Sequence, residues 1–150
     1  MKRSPPRPLS IKLIAIWYLL GVFGPIFSSQ HGACFLGFYI SGWIGHFLNL
    51  LMAPLEIYLG IGLWRLNETT RRVAICFESY TVLTLLLAAI IPSSRNVFMA
   101  KVIEMGFLKS QGMPFLLVTC VGGAFSHAII IYILMQSKRS FTKASPSEDH

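Results

Sequence analysis

The chain has 150 residues, 54% of them hydrophobic and 13% charged, with a formal net charge of +7. Soluble domains carry about 25% charged residues, so this composition cannot dress a water-facing surface, and a mean hydropathy of +0.62 points the apolar excess at lipid. The positive charge sits in short tracts between long uncharged stretches; that excludes nucleic acid as a partner and suits membrane orientation and contact with anionic lipid.

Residues 1–8 are a basic, proline-rich tail carrying Lys2, Arg3 and Arg7. Its prolines block a helix start before Pro8, and Ser10 is positioned to cap the first helix. The apolar stretch 9–27, broken only by Lys12, predicts helix one. Lys12 can snorkel to the headgroups, and about twenty apolar residues suffice to span. A cleaved signal peptide ending before Cys34 is the competing reading. Gly24-Pro25 interrupts the apolar core and His31 stands where a small residue is needed, so the helix is expected to stay.

Residues 28–32 form an uncharged polar loop, and from Ala33 to Trp64 the only formal charge is Glu56. That run is too long for one ordinary span. Helix two is placed at 41–64, with Pro54 inside it, and 33–40 as an apolar cap, an interfacial turn or an overlong helix start. Residues 65–72 read as a polar turn holding Arg65, Arg71 and Arg72, with Thr69 or Thr70 capping helix three at 73–91. Residues 93–112 read as an interfacial segment. Pro114 then opens helix four (114–135), and 136–150 is a polar tail carrying Lys138 and Arg139.

The expected fold is therefore all-α, a bundle of four transmembrane helices within a membrane domain spanning 9–135. Ten of the Lys and Arg residues fall in residues 1–12, the 65–72 turn and the C-terminal tail, against none in the 28–33 loop and three in 92–113. The positive-inside rule then puts both termini in the cytoplasm.

Helix two carries the most specific pattern. At 100° per residue, Gly42, Gly45, His46, Asn49, Ala53, Glu56 and Gly60 share one arc, with Ile44, Leu48, Leu51, Leu55 and Tyr58 opposite. Ala74, Glu78, Thr81, Leu85 and Ala88 share a face of helix three; Thr119, Gly122, Gly123 and Ser126, with His127 at the edge, share one of helix four; Tyr18, Gly21, Pro25 and Ser28 share one of helix one. Small and polar stripes in lipid face other helices. His46, Asn49, Thr81 and Ser126 are thus expected to hydrogen-bond between helices.

Glu56 lies eight residues before Trp64, Glu78 six after Arg72, and His127 eight before Met135. All three should sit roughly 9–12 Å from the inner boundary. An ionised carboxylate near the bilayer centre is unfavourable by about 2.5–3.5 kcal/mol. Glu56 and Glu78 are expected either to pair with Arg65, Arg71 or Arg72 and lock the bundle, or to form a proton or cation site with His127. Cys34, Cys76 and Cys120 read as small apolar residues, although Cys34 and Cys120 both fall near the outer face, where a bridge is feasible. No nucleotide, metal-ligand or nucleophile motif occurs, so no cofactor, no metal and no enzymatic activity are expected.

The segment Gly60-Ile-Gly-Leu-Trp-Arg-Leu, followed by Thr70-Arg-Arg-Val-Ala and preceded far upstream by Arg7-Pro8, resembles small uncharacterised four-helix bacterial membrane proteins. The tryptophan usual before Ala-Arg in that turn is replaced by Thr70-Arg71. The resemblance implies a bacterial inner-membrane location and four spans, and carries no activity. Small multidrug transporters also have four helices and a membrane glutamate, but in helix one, which has none here. The leading expectation is a non-enzymatic accessory or self-associating subunit, whose partners are membrane lipid and itself or another membrane protein. The alternative is a small proton- or cation-coupled transporter built on Glu56, Glu78 and His127.

Overall fold

The computed structural model describes residues 8–23, 33–36, 38–40, 42–93, 95–96 and 109–142. All its long elements are helices: α1 (Leu9–Gly21), α2 (Gly42–Trp64), α3 (Glu68–Ile90) and α4 (Lys109–Gln136), followed by a short α5 (Lys138–Thr142). Between α1 and α2 lies a hairpin of strands β1 (Ala33–Phe35) and β2 (Phe38–Ile40). Three helical stretches, Gly42–Trp64, Glu68–Ile90 and Pro114–Gln136, are long and apolar enough to cross a membrane. The 13 described residues of α1 reach only about 20 Å, and the predicted extension over 24–27 lies outside the described residues. Ser10 does not cap α1; it lies inside the helix, whose N-cap is Pro8 with no side-chain hydrogen bond.

The run 33–40 resolves into the hairpin rather than a helix start. Its strands are antiparallel, Phe35 opposite Phe38, leaving two residues for the turn. Leu36, the first of them, has φ +46°, the left-handed value such tight turns require. The Phe35 ring meets Tyr80 of α3 at 5.7 Å, which seats the hairpin on the bundle.

The α2–α3 connection is tighter than expected, and α3 begins at Glu68 rather than Val73. At the end of α2 the Leu66 N–H reaches the Leu63 carbonyl (3.0 Å) and the Asn67 N–H reaches the Gly62 carbonyl (2.9 Å). This double bond pattern needs a left-handed residue, and Leu66 supplies it at φ +57°. Leucine is strained there by about 1 kcal/mol; burial of its side chain offsets the strain. Asn67 then serves a second purpose. Its Oδ1 accepts from the Thr70 N–H (3.1 Å), capping α3 in place of Thr69 or Thr70. Asn67→Ala should lower unfolding stability by about 1 kcal/mol, read as a shift in a denaturant midpoint in mixed micelles, with Asn67→Asp close to wild type. An unshifted midpoint for Asn67→Ala would show that the turn does not depend on the cap.

Helix α4 begins five residues before Pro114, which sits inside it. Pro114 lies past the first turn, where it forfeits one backbone bond and crowds the carbonyl four residues before it, yet the helix runs through. The expected polar tail also folds in part: α5 occupies 138–142, with Phe141 fully buried.

The helices pack antiparallel. Ala15 and Leu19 of α1 meet Gly60 of α2. As α3 advances from Arg71 through Glu78 to Leu85, α4 runs back from Leu134 through His127 to Gly123. One apolar cluster, including Ile11, Ile14, Leu59, Leu63, Leu66, Leu134 and Phe141, closes the end where α1 starts and α2 finishes. Large apolar side chains such as Trp17, Leu20, Phe47, Leu83, Val118 and Phe125 point outward, as a lipid-facing surface requires.

Candidate functional site

Tyr18 of α1 and His127 of α4 converge on Glu78 of α3. It lies on the inward face of α3 and is 0% exposed. Arg71, two turns earlier, packs inward beside Leu134, so Glu78 sits about 10 Å deeper along the helix axis. Tyr18 of α1, also buried, donates its hydroxyl proton to Glu78 Oε1. His127 of α4 shares a hydrogen bond between Nδ1 and Glu78 Oε2. Both carboxyl oxygens are therefore engaged, each by a different helix. The Phe77 ring packs against Tyr18 at 6.2 Å and 53° and walls one side of the triad.

The charge arithmetic is favourable. With Glu78 ionised, protonated imidazole donates from Nδ1; with Glu78 protonated, its O–H donates to neutral Nδ1. Both arrangements are net neutral, so moving the proton along the bond leaves no isolated charge in a medium that penalises one. His127 keeps a second titratable position, Nε2, on a side chain 23% exposed. Chemically the triad can hold, share and pass a proton.

The arginines serve elsewhere. Arg71 grips Glu68 with Nε and Nη2, each at 2.7 Å, and its Nη1 reaches the Leu134 carbonyl at 3.1 Å. Arg72 joins the same carboxylate at 3.1 Å. Arg65 is exposed. The expected arginine lock on Glu78 is thus replaced by one on Glu68. The reason is distance along the helix: Glu68 stands three and four residues from Arg71 and Arg72, the spacing at which helix side chains meet.

Glu56 is half-buried on α2, and its carboxyl packs beside Gly21, where a β-carbon would lie 3.2 Å from Oε2. Gly21 follows Tyr18 by one turn, so Glu56 and Glu78 address neighbouring turns of α1. The described residues contain no group of three His, Cys, Asp or Glu side chains close enough to hold a metal ion. The structure pairs Glu78 directly with His127 and sets Glu56 near enough to feel the charge of Glu78.

Of the expected interhelical contacts, Thr81 Oγ1 instead bonds its own helix at the Phe77 carbonyl (3.0 Å), and Ser126 Oγ bonds the Gly122 carbonyl (2.9 Å). Hydroxyls four residues after a free lone pair take this local option readily. His46 and Asn49 are half-buried on α2. The stripe on α4 points outward: Thr119, Gly122 and Ser126 are exposed, while Leu116, Cys120 and Ala124 face inward. Cys120 is a free buried thiol; the side chain of Cys34, its expected partner, lies outside the described residues. Tyr18 is the site residue that sequence reasoning missed. Its place on the small-and-polar face of helix one was visible, but its partner was not. Of the basic residues, Lys2, Arg3 and Arg7 lie outside the described residues, Lys12 is half-buried, and Arg72, Lys138 and Arg139 are exposed.

Fold and site together define a helical protein with three helices long and apolar enough to cross a membrane and a buried protonatable triad. No protein-family profile, characterised protein or solved structure matches the chain.

Proposed function

We propose that the chain is a four-span bundle with both termini in the cytoplasm, in a bacterial inner membrane, and that it carries protons as a small proton-coupled transporter or conductor. The proton is held by Tyr18, Glu78 and His127, and Glu56 is the neighbouring acceptor one turn along α1. The observation that carries this reading is the enclosure of Glu78, whose two oxygens are engaged by a phenol and an imidazole and, among the described residues, by no permanent cation. A carboxylate meant only to lock helices would find one of three nearby arginines more stabilising than a titratable ring.

The test is proton flux into vesicles holding the purified protein, driven by a potassium diffusion potential and read by an internal pH dye. Wild type should exceed Glu78→Gln by roughly tenfold or more, the effect of about 1.4 kcal/mol on a barrier. Equal flux in the two would sink the proposal.

A second reading, an accessory or self-associating subunit, is favoured by one observation. The exposed Gly122 has open space where a β-carbon would stand, with nothing within 4 Å, and Thr119 and Ser126 flank it. Helices approach closely through such faces. Crosslinking in native membranes that recovered only monomers, without a partner, would count against it.

A further inference from the structure

The end of the bundle opposite the hairpin gathers most of the cations among the described residues. The apolar cluster that closes this end joins the first turns of α1, the last turn of α2, the first turns of α3, the end of α4 and α5. The residues flanking that cluster in sequence must then ring it. They are Lys12, Arg65, Arg72, Lys138 and Arg139, of which all but Lys12 are exposed. Among the described residues the acid at this end is Glu68, and it is held in a two-pronged grip by the buried Arg71. Arg72 touches Glu68 yet keeps a side chain 73% exposed. The rim is left strongly positive, and it adjoins an outward-facing apolar belt that includes Leu9, Leu13, Ile61 and Trp64.

We infer that this rim is a preset docking surface for anionic phospholipid headgroups. The occupant is identified by position. A headgroup layer is the negatively charged layer that lies directly against an apolar, acyl-facing belt, and cations at that level attract it. The presetting is the work of α5. Phe141 is fully buried, and the Arg71 guanidinium carbon stands 5.9 Å from its ring centroid. The Ser137 N–H and hydroxyl bond the Ile133 and Leu134 carbonyls, at 3.0 Å each, and fix the end of α4 from which α5 starts. Lys138 and Arg139 thereby lie on a short helix at the same end of the bundle as Arg65 and Arg72. The Glu68–Arg71 pair acts twice: it neutralises the acid described at the rim, and it gives Phe141 its seat. This inference rests on the membrane-spanning reading and is independent of proton transfer.

The test uses the full chain with Trp17 and Trp43 replaced by phenylalanine, so that Trp64 at the rim reports alone. The protein is placed in phosphatidylcholine vesicles containing either brominated phosphatidylglycerol or brominated phosphatidylcholine, and quenching of Trp64 gives the relative affinity. The expected result is a preference for phosphatidylglycerol of roughly fivefold or more at low salt, fading at high salt. Replacing Arg65, Arg72, Lys138 and Arg139 by glutamine should bring the preference to about unity. Phe141→Ala, which releases α5, should remove part of it while helicity by circular dichroism holds. Equal quenching by both lipids, or a preference that survives the fourfold variant, overturns the inference. So does a preference abolished by low inorganic phosphate, which would assign the rim to a soluble ligand. Resistance of the wild-type protein to alkaline extraction checks the membrane reading separately; release by alkali would remove that reading and this surface with it.

Discussion

Replacing Glu78 by alanine is expected to lower the stability of the protein by roughly 2–4 kcal/mol. Removing one partner of a buried ion pair in a soluble protein costs about 3–5 kcal/mol, because the survivor is left uncompensated. Here there are two survivors, the Tyr18 hydroxyl and the His127 ring. Two effects pull the figure down. His127 can shed its proton and become neutral, and groups in a membrane find other partners in the unfolded reference state, so polar contacts there average well below their expected worth. The cavity left by the side chain pulls it back up. Glu78→Gln separates these causes. The amide oxygen still accepts from Tyr18, and the amide N–H can donate to neutral Nδ1 of His127, so the variant should stay within about 1 kcal/mol of wild type while losing the titratable proton. Unfolding of the three proteins in mixed micelles, followed by circular dichroism, decides the matter. If alanine proves as stable as glutamine, the triad does not hold the helices together. If glutamine falls as far as alanine, the ionised form is what the fold needs.

The second large effect is expected at Gly62. A β-carbon there would stand 2.7 Å from the β-carbon of Thr70, an atom fixed to the backbone of the next helix. Relief would require moving the start of α3 away from the end of α2. Overpacking of this kind destabilises by about 1–3 kcal/mol, and the displacement would also disturb the Asn67–Gly62 bond that closes the turn. Gly62→Ala should therefore lie at the upper end of that range. Adding Thr70→Ala should recover part of the loss, because it removes the side-chain atoms beyond the β-carbon. Gly122→Ala is the internal control: with nothing within 4 Å, it should be neutral or gain up to about 1 kcal/mol from helix propensity. Gly62→Ala matching Gly122→Ala in a thermal melt would show that the α2–α3 turn is looser than its geometry states.

These two predictions concern residues that the sequence exposes unequally. Glu78 is conspicuous as an acid in an apolar run. Gly62 belongs to no stripe on helix two, because the close approach there comes from the turn after the helix and not from a face of it. The same turn explains the displaced start of α3. Thr69 and Thr70 both look like caps in isolation, but Asn67 is the residue that the left-handed Leu66 delivers to the helix start.

The sequence by itself determined the membrane-facing composition, the existence of α2, the body of α3 and the presence of a helix after Pro114. Apolar length and the lack of charge are local properties, written out residue by residue. It also identified Glu56, Glu78 and His127 as residues out of place in lipid, since the penalty for a buried charge depends on the residue and its depth alone. Tertiary structure decided who partners whom. Pairing depends on the rotation of each helix about its axis, and on α4 that rotation differs from the one its small-residue stripe suggests: it turns Leu116, Cys120 and Ala124 inward and leaves Thr119, Gly122 and Ser126 outside. Rotation is set by the summed packing of all faces at once, which no single helix records. It brought Tyr18 to Glu78, set Glu56 one turn along α1 from them, and committed Arg71 to Glu68 and Phe141, thereby separating a protonatable interior from a positively charged rim.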